Sequence, residues 1–306
     1  MKAIVLAYHN MGLAGLAALE RHGVEIAAVF THEDDPQENC WFGSVKNWAE
    51  TRGIDCFTTD AINAPQWIDK IAGRQPDVLF SFYYRKMISP ALLAIPRTGA
   101  FNLHGSLLPA YRGRCPVNWV LVNGEEETGV TLHAMVEKPD AGDIVGSRAV
   151  KIDFEDTAQT LYDKLCAAAG RLLDEVLPEM LRGRIPLRKQ DLSRGSYYGG
   201  RKPEDGRISW DRTAVEIYNL IRAVTEPYPG AFAFADSGEK VLIWRARPVS
   251  FAAAGRPGDV ISDGQSVLVK TADGAIRLLD IDVSGLRLQD ADIGTYFKTG
   301  KVKKLT

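Results

Sequence analysis

An apolar run in the segment 99–125, GAFNLHGSLLPAYRGRCPVNWVLVNGE, ends in two polar residues, Asn102 and His104. In extended chain, residues two apart point to one face, so Asn102 and His104 look together at one point while Leu103 turns away. An amide N–H aimed at a carbonyl oxygen stabilises an oxyanion, typically by about 3 kcal/mol. An imidazole beside it can move protons. A carboxylate follows in the loop Lys138-Pro139-Asp140-Ala141-Gly142-Asp143, after a strand expected over 129–136. A carboxylate next to an imidazole favours the imidazolium and fixes its orientation. A lone histidine on a strand is usually structural. The same-face amide and the loop carboxylate turn the reading toward acyl transfer without a covalent enzyme intermediate.

These residues need a rigid frame. Apolar, β-rich runs at 2–8, 24–31, 56–59, 77–82 and 99–102 read as strands. Between them, 11–22, 44–52, 65–72 and a turn near 90–93 read as helices, the third with proline at its start. This alternation predicts an α/β, doubly wound and mostly parallel sheet, whose ligands sit beyond the carboxyl ends of the strands. A long amphipathic helix is expected over 156–181, with Asp156 and Gln159 as a capping box and a kink or break at Pro178. The Gly-, Ser- and Tyr-rich stretch 190–209 reads as a linker between a catalytic domain, 1–189, and a smaller β-rich domain, 210–306. In the latter, 213–225 reads as a helix and 266–272 and 275–283 as a hairpin turning at Asp273-Gly274.

The chain has 306 residues, of which 45% are hydrophobic and 25% charged, enough for one large domain or two ordinary ones. Its formal net charge of −2 gives no basic excess for a nucleic acid to neutralise. Cys40, Cys56, Cys115 and Cys166 form no CxxC pair and read as reduced thiols of a cytoplasmic protein. The apolar start is too short for a membrane span. His9, His22, His32 and His133 show no metal-ligand spacing, so no metal is expected. Asn10-Met11-Gly12-Leu13-Ala14-Gly15 lacks the GxGxxG pattern of dinucleotide binding.

Asn102-Leu103-His104-Gly105-Ser106-Leu107-Leu108-Pro109, then Tyr111-Arg112-Gly113 and the downstream Asp140, resembles the signature of the 10-formyltetrahydrofolate-dependent formyltransferases. The resemblance implies a Rossmann-like catalytic domain and a C-terminal domain related to the OB barrel. It implies Asn102 as oxyanion donor, His104 as the proton-handling group and Asp140 as its partner. Ala7–Gly12 (AYHNMG), Ser81–Arg85 (SFYYR), Asn118–Glu125 (NWVLVNGE), Thr128–His133 (TGVTLH) and Gly200–Gly206 (GRKPEDG) are most similar to the branch that formylates UDP-4-amino-4-deoxy-L-arabinose in lipid A modification and polymyxin resistance.

By the same resemblance, 10-formyltetrahydrofolate is the co-substrate and contacts Lys86, Met87, Ile88, Arg114 and the loop Val136, Glu137, Lys138, Pro139 and Asp140. Met87 and Ile88 suit an ordinary core equally well. Arg112 and Arg114 also suit a solvated loop; with Arg201 and Lys202 they are the candidates for the diphosphate of a UDP-amino-sugar substrate. A decarboxylase domain, fused or on a separate chain, is an implied partner. Rival acceptors are methionyl-tRNA and water, the latter making the enzyme a formyltetrahydrofolate hydrolase. The acidic stretch 31–38, THEDDPQE, opposes a polyanionic tRNA. A non-catalytic folate- or nucleotide-binding module would not require Asn102, His104 and Asp140 together.

Overall fold

The apolar runs of the first half become the inner strands of one sheet. In this computed structural model the described residues are 1–34, 39–251, 255–262, 266–298 and 302–306, so Asp35, Pro36, Gln37 and Glu38 of the acidic stretch lie outside them. The strands of the N-terminal half are β1 (Lys2–Ala7), β2 (Glu25–Thr31), β3 (Cys56–Thr58), β4 (Val78–Phe82), β5 (Gly99–His104), β6 (Arg112–Gly113), β7 (Glu127–Ala134) and β8 (Ile144–Lys151). Seven of them form a sheet in the order β3-β2-β1-β4-β5-β7-β8. The first five run parallel; β7 and β8 are antiparallel additions. Every residue of β4 is buried, as expected of a strand covered on both faces.

Helices α1 (His9–Arg21), α2 (Val45–Glu50), α3 (Pro65–Gly73) and α4 (Pro90–Leu93) fill the crossovers, followed by α5 (Pro116–Val122) and α6 (Ala158–Leu181). Ile4, Leu6, Phe30 and Leu79 of the sheet pack with Ile62, Ile71 and Leu92 in one core cluster. Full burial of such a side chain contributes about 1.5–3 kcal/mol. Gly15 serves packing: a Cβ there would come within 2.3 Å of the Phe82 ring. Gly15 thus lets α1 lie close to β4.

Two expectations for α6, a break at Pro178 and a capping box from Asp156 and Gln159, are not met. The helix runs through Pro178 unbroken, held by buried Leu172, Leu173, Leu177 and Met180 on its apolar stripe. Asp156 and Gln159 form no capping box. Asp156 is buried and accepts from the Asp153 N–H at 2.7 Å, while Thr157 and Thr160 exchange side chain-to-backbone bonds at the helix start.

The chain divides into two compact units, one made of Met1–Pro116, Glu127–Ile152 and Tyr162–Gly199, the other of Val117–Glu126, Asp153–Leu161 and Gly200–Thr306. In the first, β9 (Tyr197–Tyr198) pairs in parallel with β6. In the second, α7 (Ala214–Val224) starts from a Thr213/Glu216 capping box. Strands β10 (Ala231–Phe234), β11 (Lys240–Val249), β12 (Val260–Ser262), β13 (Val267–Lys270), β14 (Ala275–Val283) and β15 (Leu286–Gln289) form an antiparallel sheet, and α8 (Ala291–Lys298) follows. The β13–β14 hairpin turns at Asp273-Gly274 as expected.

Candidate active site

Asn102 and His104 close β5 on one face, and the antiparallel neighbour β7 sets His133 directly opposite Asn102. A bulge between Leu132 and His133 in the β7–β8 pairing re-aims that strand locally. The β7–β8 connection then brings Asp140 to the same place. Its Oδ1 lies 3.6 Å from His104 Nδ1, 3.5 Å from His133 Nε2 and 3.5 Å from Asn102 Nδ2. The three residues singled out by the sequence therefore converge, and His133 joins them.

Hydrogen bonds fix the tautomers, because backbone carbonyls only accept. His104 Nε2 donates to the Tyr111 carbonyl at 2.8 Å, leaving Nδ1 toward Asp140. His133 Nδ1 donates to the Ala134 carbonyl at 2.8 Å, so its Nε2 accepts from Asn102 Nδ2 at 3.2 Å. One N–H of Asn102 is thus committed to His133. The other, at the outer limit of hydrogen bonding to Asp140, is the one a substrate carbonyl oxygen can take over.

Asp140 is built as an anion. Burial opposes its ionisation, yet the pull of His104 beside it and the Gly113 N–H at 2.9 Å overcome that and hold its carboxyl well below the usual carboxylate range. Its backbone is equally constrained, with φ of 50° in the left-handed region. Gln190 Nε2 grips the loop by donating to the carbonyls of Asp140 at 3.1 Å and Gly142 at 2.5 Å. At Gly142 the chain passes so close to β7 that a Cβ would stand 1.9 Å from the Ala134 carbonyl oxygen.

The segment 105–114 is shaped from both sides. Ser106 Oγ donates to the Ala110 carbonyl at 2.7 Å, and Thr131 Oγ1 donates to the Ser106 carbonyl at 2.7 Å. Tyr111, also at positive φ (57°), donates its N–H to Ser196 Oγ at 2.8 Å. Arg112 between them is buried, 8% exposed, and its Nε has no partner. The solvated-loop reading of Arg112 is thus overturned. Arg114 is exposed.

The other sequence candidates occupy three places. Lys86 pairs with Asp60 at 3.1 Å beyond the end of β4, Met87 is exposed, and Ile88 belongs to the core cluster. Asn63 fixes that loop by donating to the Met87 carbonyl and accepting from the Ser89 N–H, both at 2.8 Å. Val136, Glu137 and Lys138 are exposed and Pro139 half-buried on the loop that ends in Asp140. Arg201 and Lys202 lie in the C-terminal unit, where Arg201 stacks over Trp119 and donates to the Asp205 carbonyl at 2.9 Å. Among the described residues no group of His, Cys, Asp or Glu could hold a metal ion, and no helix is long and apolar enough to cross a membrane. His133, the Tyr111 carbonyl, the Gly113 N–H and Gln190 were not foreseen. Only the register of β5 on β7 could have pointed to His133.

An α/β unit with an amide, two imidazoles and an ionised carboxylate at one strand end defines an acyl-group-handling enzyme. The chain belongs to the formyl transferase family, whose N-terminal domain matches residues 2–177 and whose C-terminal domain matches residues 201–292. Among solved structures, the fold is similar to HypX from Aquifex aeolicus, at 20% identity and a TM-score of 0.65 over 99% of this chain. This chain spans 48% of HypX. It is also similar to an N-formyltransferase from Helicobacter canadensis solved with folinic acid and dTDP-3-aminofucose, at 20% identity and a TM-score of 0.68 over 91% of this chain and 98% of that one. A third is WlaRD, a sugar 3N-formyl transferase solved with dTDP and 5-N-formyl-THF, at 20% identity and a TM-score of 0.69 over 94% and 98%.

Proposed function

We propose that the protein transfers the formyl group of 10-formyltetrahydrofolate to the amine of a nucleotide-linked amino sugar, and that the acceptor is UDP-4-amino-4-deoxy-L-arabinose. The observation that carries the transfer is the convergence of Asn102, His104 and His133 on the ionised Asp140. Asn102 donates its loosely held N–H to the formyl oxygen as that oxygen gains charge. His104 takes the proton that the attacking amine must lose and returns it to N10 of the departing tetrahydrofolate as the N10–formyl bond breaks, and Asp140 stabilises the imidazolium formed in between. His133 keeps the Asn102 amide turned toward the reacting carbon. Folate as donor fits the exposed apolar Met87 and Val136 and the cationic Arg114, which suits a glutamyl carboxylate.

For the acceptor, the support is the branch-like motifs of the sequence together with the buried Arg112, whose unpartnered Nε sits one residue from both Tyr111 and Gly113. The ligands of the two similar sugar N-formyltransferases agree with a nucleotide-linked amine. The experiment is mass spectrometry of UDP-linked amino sugars incubated with the enzyme and 10-formyltetrahydrofolate. One added formyl group on UDP-4-amino-4-deoxy-L-arabinose is the expected product. Formate release with every amino sugar left unmodified would replace this reading with hydrolysis.

A further inference from the structure

A cavity lies in the C-terminal unit, which holds none of Asn102, His104, His133 and Asp140. It measures about 640 Å³ and is walled by the segment Arg207–Asp211, the turn at Arg256 and Pro257, and the segment Lys304–Thr306. Arg207, Arg256 and Lys304 all line it, and none of them makes an ion pair among the described residues. Asp211 is the one acidic side chain in the wall. Arg207 lies over the Phe234 ring, 5.5 Å from its centroid, and no described carboxylate pairs with any of the three, so the cations repel each other and an anion between them turns that repulsion into attraction. Surface cations elsewhere on this molecule commonly have carboxylate partners, as Arg21, Arg52 and Arg148 do.

Trp210 supplies an independent sign. It is 4% exposed and lines the same cavity, yet its indole Nε1–H is buried without an acceptor. A buried N–H left unmade costs about 1–3 kcal/mol, so such groups are normally satisfied. A shift of the Trp210 ring that opens this N–H to the cavity would let a ligand oxygen supply the missing acceptor. Two guanidinium forks and an ammonium suit the oxygens of a phosphate, which Arg binds in bidentate fashion. The volume far exceeds that of a lone phosphate and lies within the range of small-molecule sites. Ile208 and Leu305 give the wall an apolar portion for an uncharged moiety.

We infer that the C-terminal unit carries a second, non-catalytic site for a phosphorylated organic anion of nucleotide size, held by Arg207, Arg256, Lys304 and the Trp210 indole. This site stands apart from the choice of acceptor at the catalytic set, and its test reads the indole itself. In a ¹⁵N-labelled full chain, the Trp210 indole resonance is assigned with Trp210→Phe and followed during titration with UDP, and separately with inorganic pyrophosphate. The expected result is a saturable shift with both, with UDP acting at the lower concentration and both midpoints rising with salt. In an Arg256→Ala/Lys304→Ala double variant with an otherwise overlaying spectrum, the UDP midpoint should rise about ten-fold or more. An indole resonance that stays in place at millimolar UDP, or moves with the same midpoint in the double variant, overturns the site. A UDP midpoint no lower than that of pyrophosphate overturns the assignment of an organic ligand. Formylation assays do not enter this readout, so failure of the catalytic proposal leaves it intact.

Discussion

His133 on β7 faces Asn102 on β5 across an antiparallel pair, and its Nε2 accepts the Asn102 amide N–H at 3.2 Å. In the proposed reaction this bond leaves the other amide N–H for the formyl oxygen. Asn102→Ala and His104→Ala should each lower kcat by about 100-fold or more with folding intact. His133→Ala should cost less, about ten-fold in kcat, because it frees the amide to rotate rather than removing it. His133→Gln, which keeps an acceptor at that point, should recover part of the loss. Stopped-flow or steady-state turnover with circular dichroism as the fold control checks all four. Full activity in His133→Ala would remove its positioning role.

Gly142 should tolerate no side chain. A Cβ would stand 1.9 Å from the Ala134 carbonyl oxygen, so the loop must shift or the β7–β8 pairing must open. Overpacking of this kind costs about 1–3 kcal/mol, and here it would also displace Asp140 two residues away. Gly142→Ala is expected to lower the denaturation midpoint and to reduce kcat more than it raises KM. Chemical denaturation and kinetics on the one variant measure both; a stable, fully active Gly142→Ala would mean that the loop is softer than this packing implies.

The sequence shows Asn102, His104 and Asp140 because each rests on a local rule: period-two alternation for the pair, and a Pro/Gly loop for the carboxylate. The strand–helix alternation likewise yields the parallel core. His133 escaped because its role depends on which strand lies beside β5, in which direction and in what register, and no local pattern encodes that. The burial of Arg112 is not legible in the local sequence because it comes from the distant 195–198 segment, which pairs with it. Pro178 misled in the opposite sense: the local rule predicts a break, and the buried leucines around it keep the helix whole.

The chain should lose stability as pH falls from neutral toward 4, and His9 should be a main cause. Burial among Trp41, Phe42, Tyr83 and Tyr162, aided by Arg85, pushes the His9 imidazole down from 6.5 to about 3. The unfolded chain therefore takes up a proton below pH 6.5 that the folded chain refuses until about pH 3. Stability is lost across that window, roughly 2 kcal/mol by pH 5 from this group alone. Asp140, also held low, adds its loss only further down, once carboxylates begin to protonate in the unfolded chain near pH 4. His9 has φ of 64°, a conformation asparagine accepts, so His9→Asn tests the charge without backbone strain. Urea unfolding between pH 7 and pH 5 should show a flatter dependence in that variant; an unchanged slope would assign the loss elsewhere.

The nucleotide should matter more to the acceptor than its small sugar does. Transfer needs an uncharged primary amine within roughly 3–3.5 Å of the formyl carbon, and a pentose offers little surface to hold it there. Binding energy from the UDP portion is what can be spent on orientation. UDP-4-amino-4-deoxy-L-arabinose should therefore be formylated with a far higher kcat/KM than the free amino sugar, and UDP alone should compete with it. Arg112→Lys keeps the charge but loses the planar fork, so KM for the UDP-sugar should rise more than kcat falls. Methionyl-tRNA, lacking a basic excess to meet its phosphates on a chain of net charge −2, should be formylated poorly at any salt concentration. The comparison of kcat/KM for the linked and free sugars decides the matter, since equal values would mean that the nucleotide is not recognised and that the acceptor is a different amine.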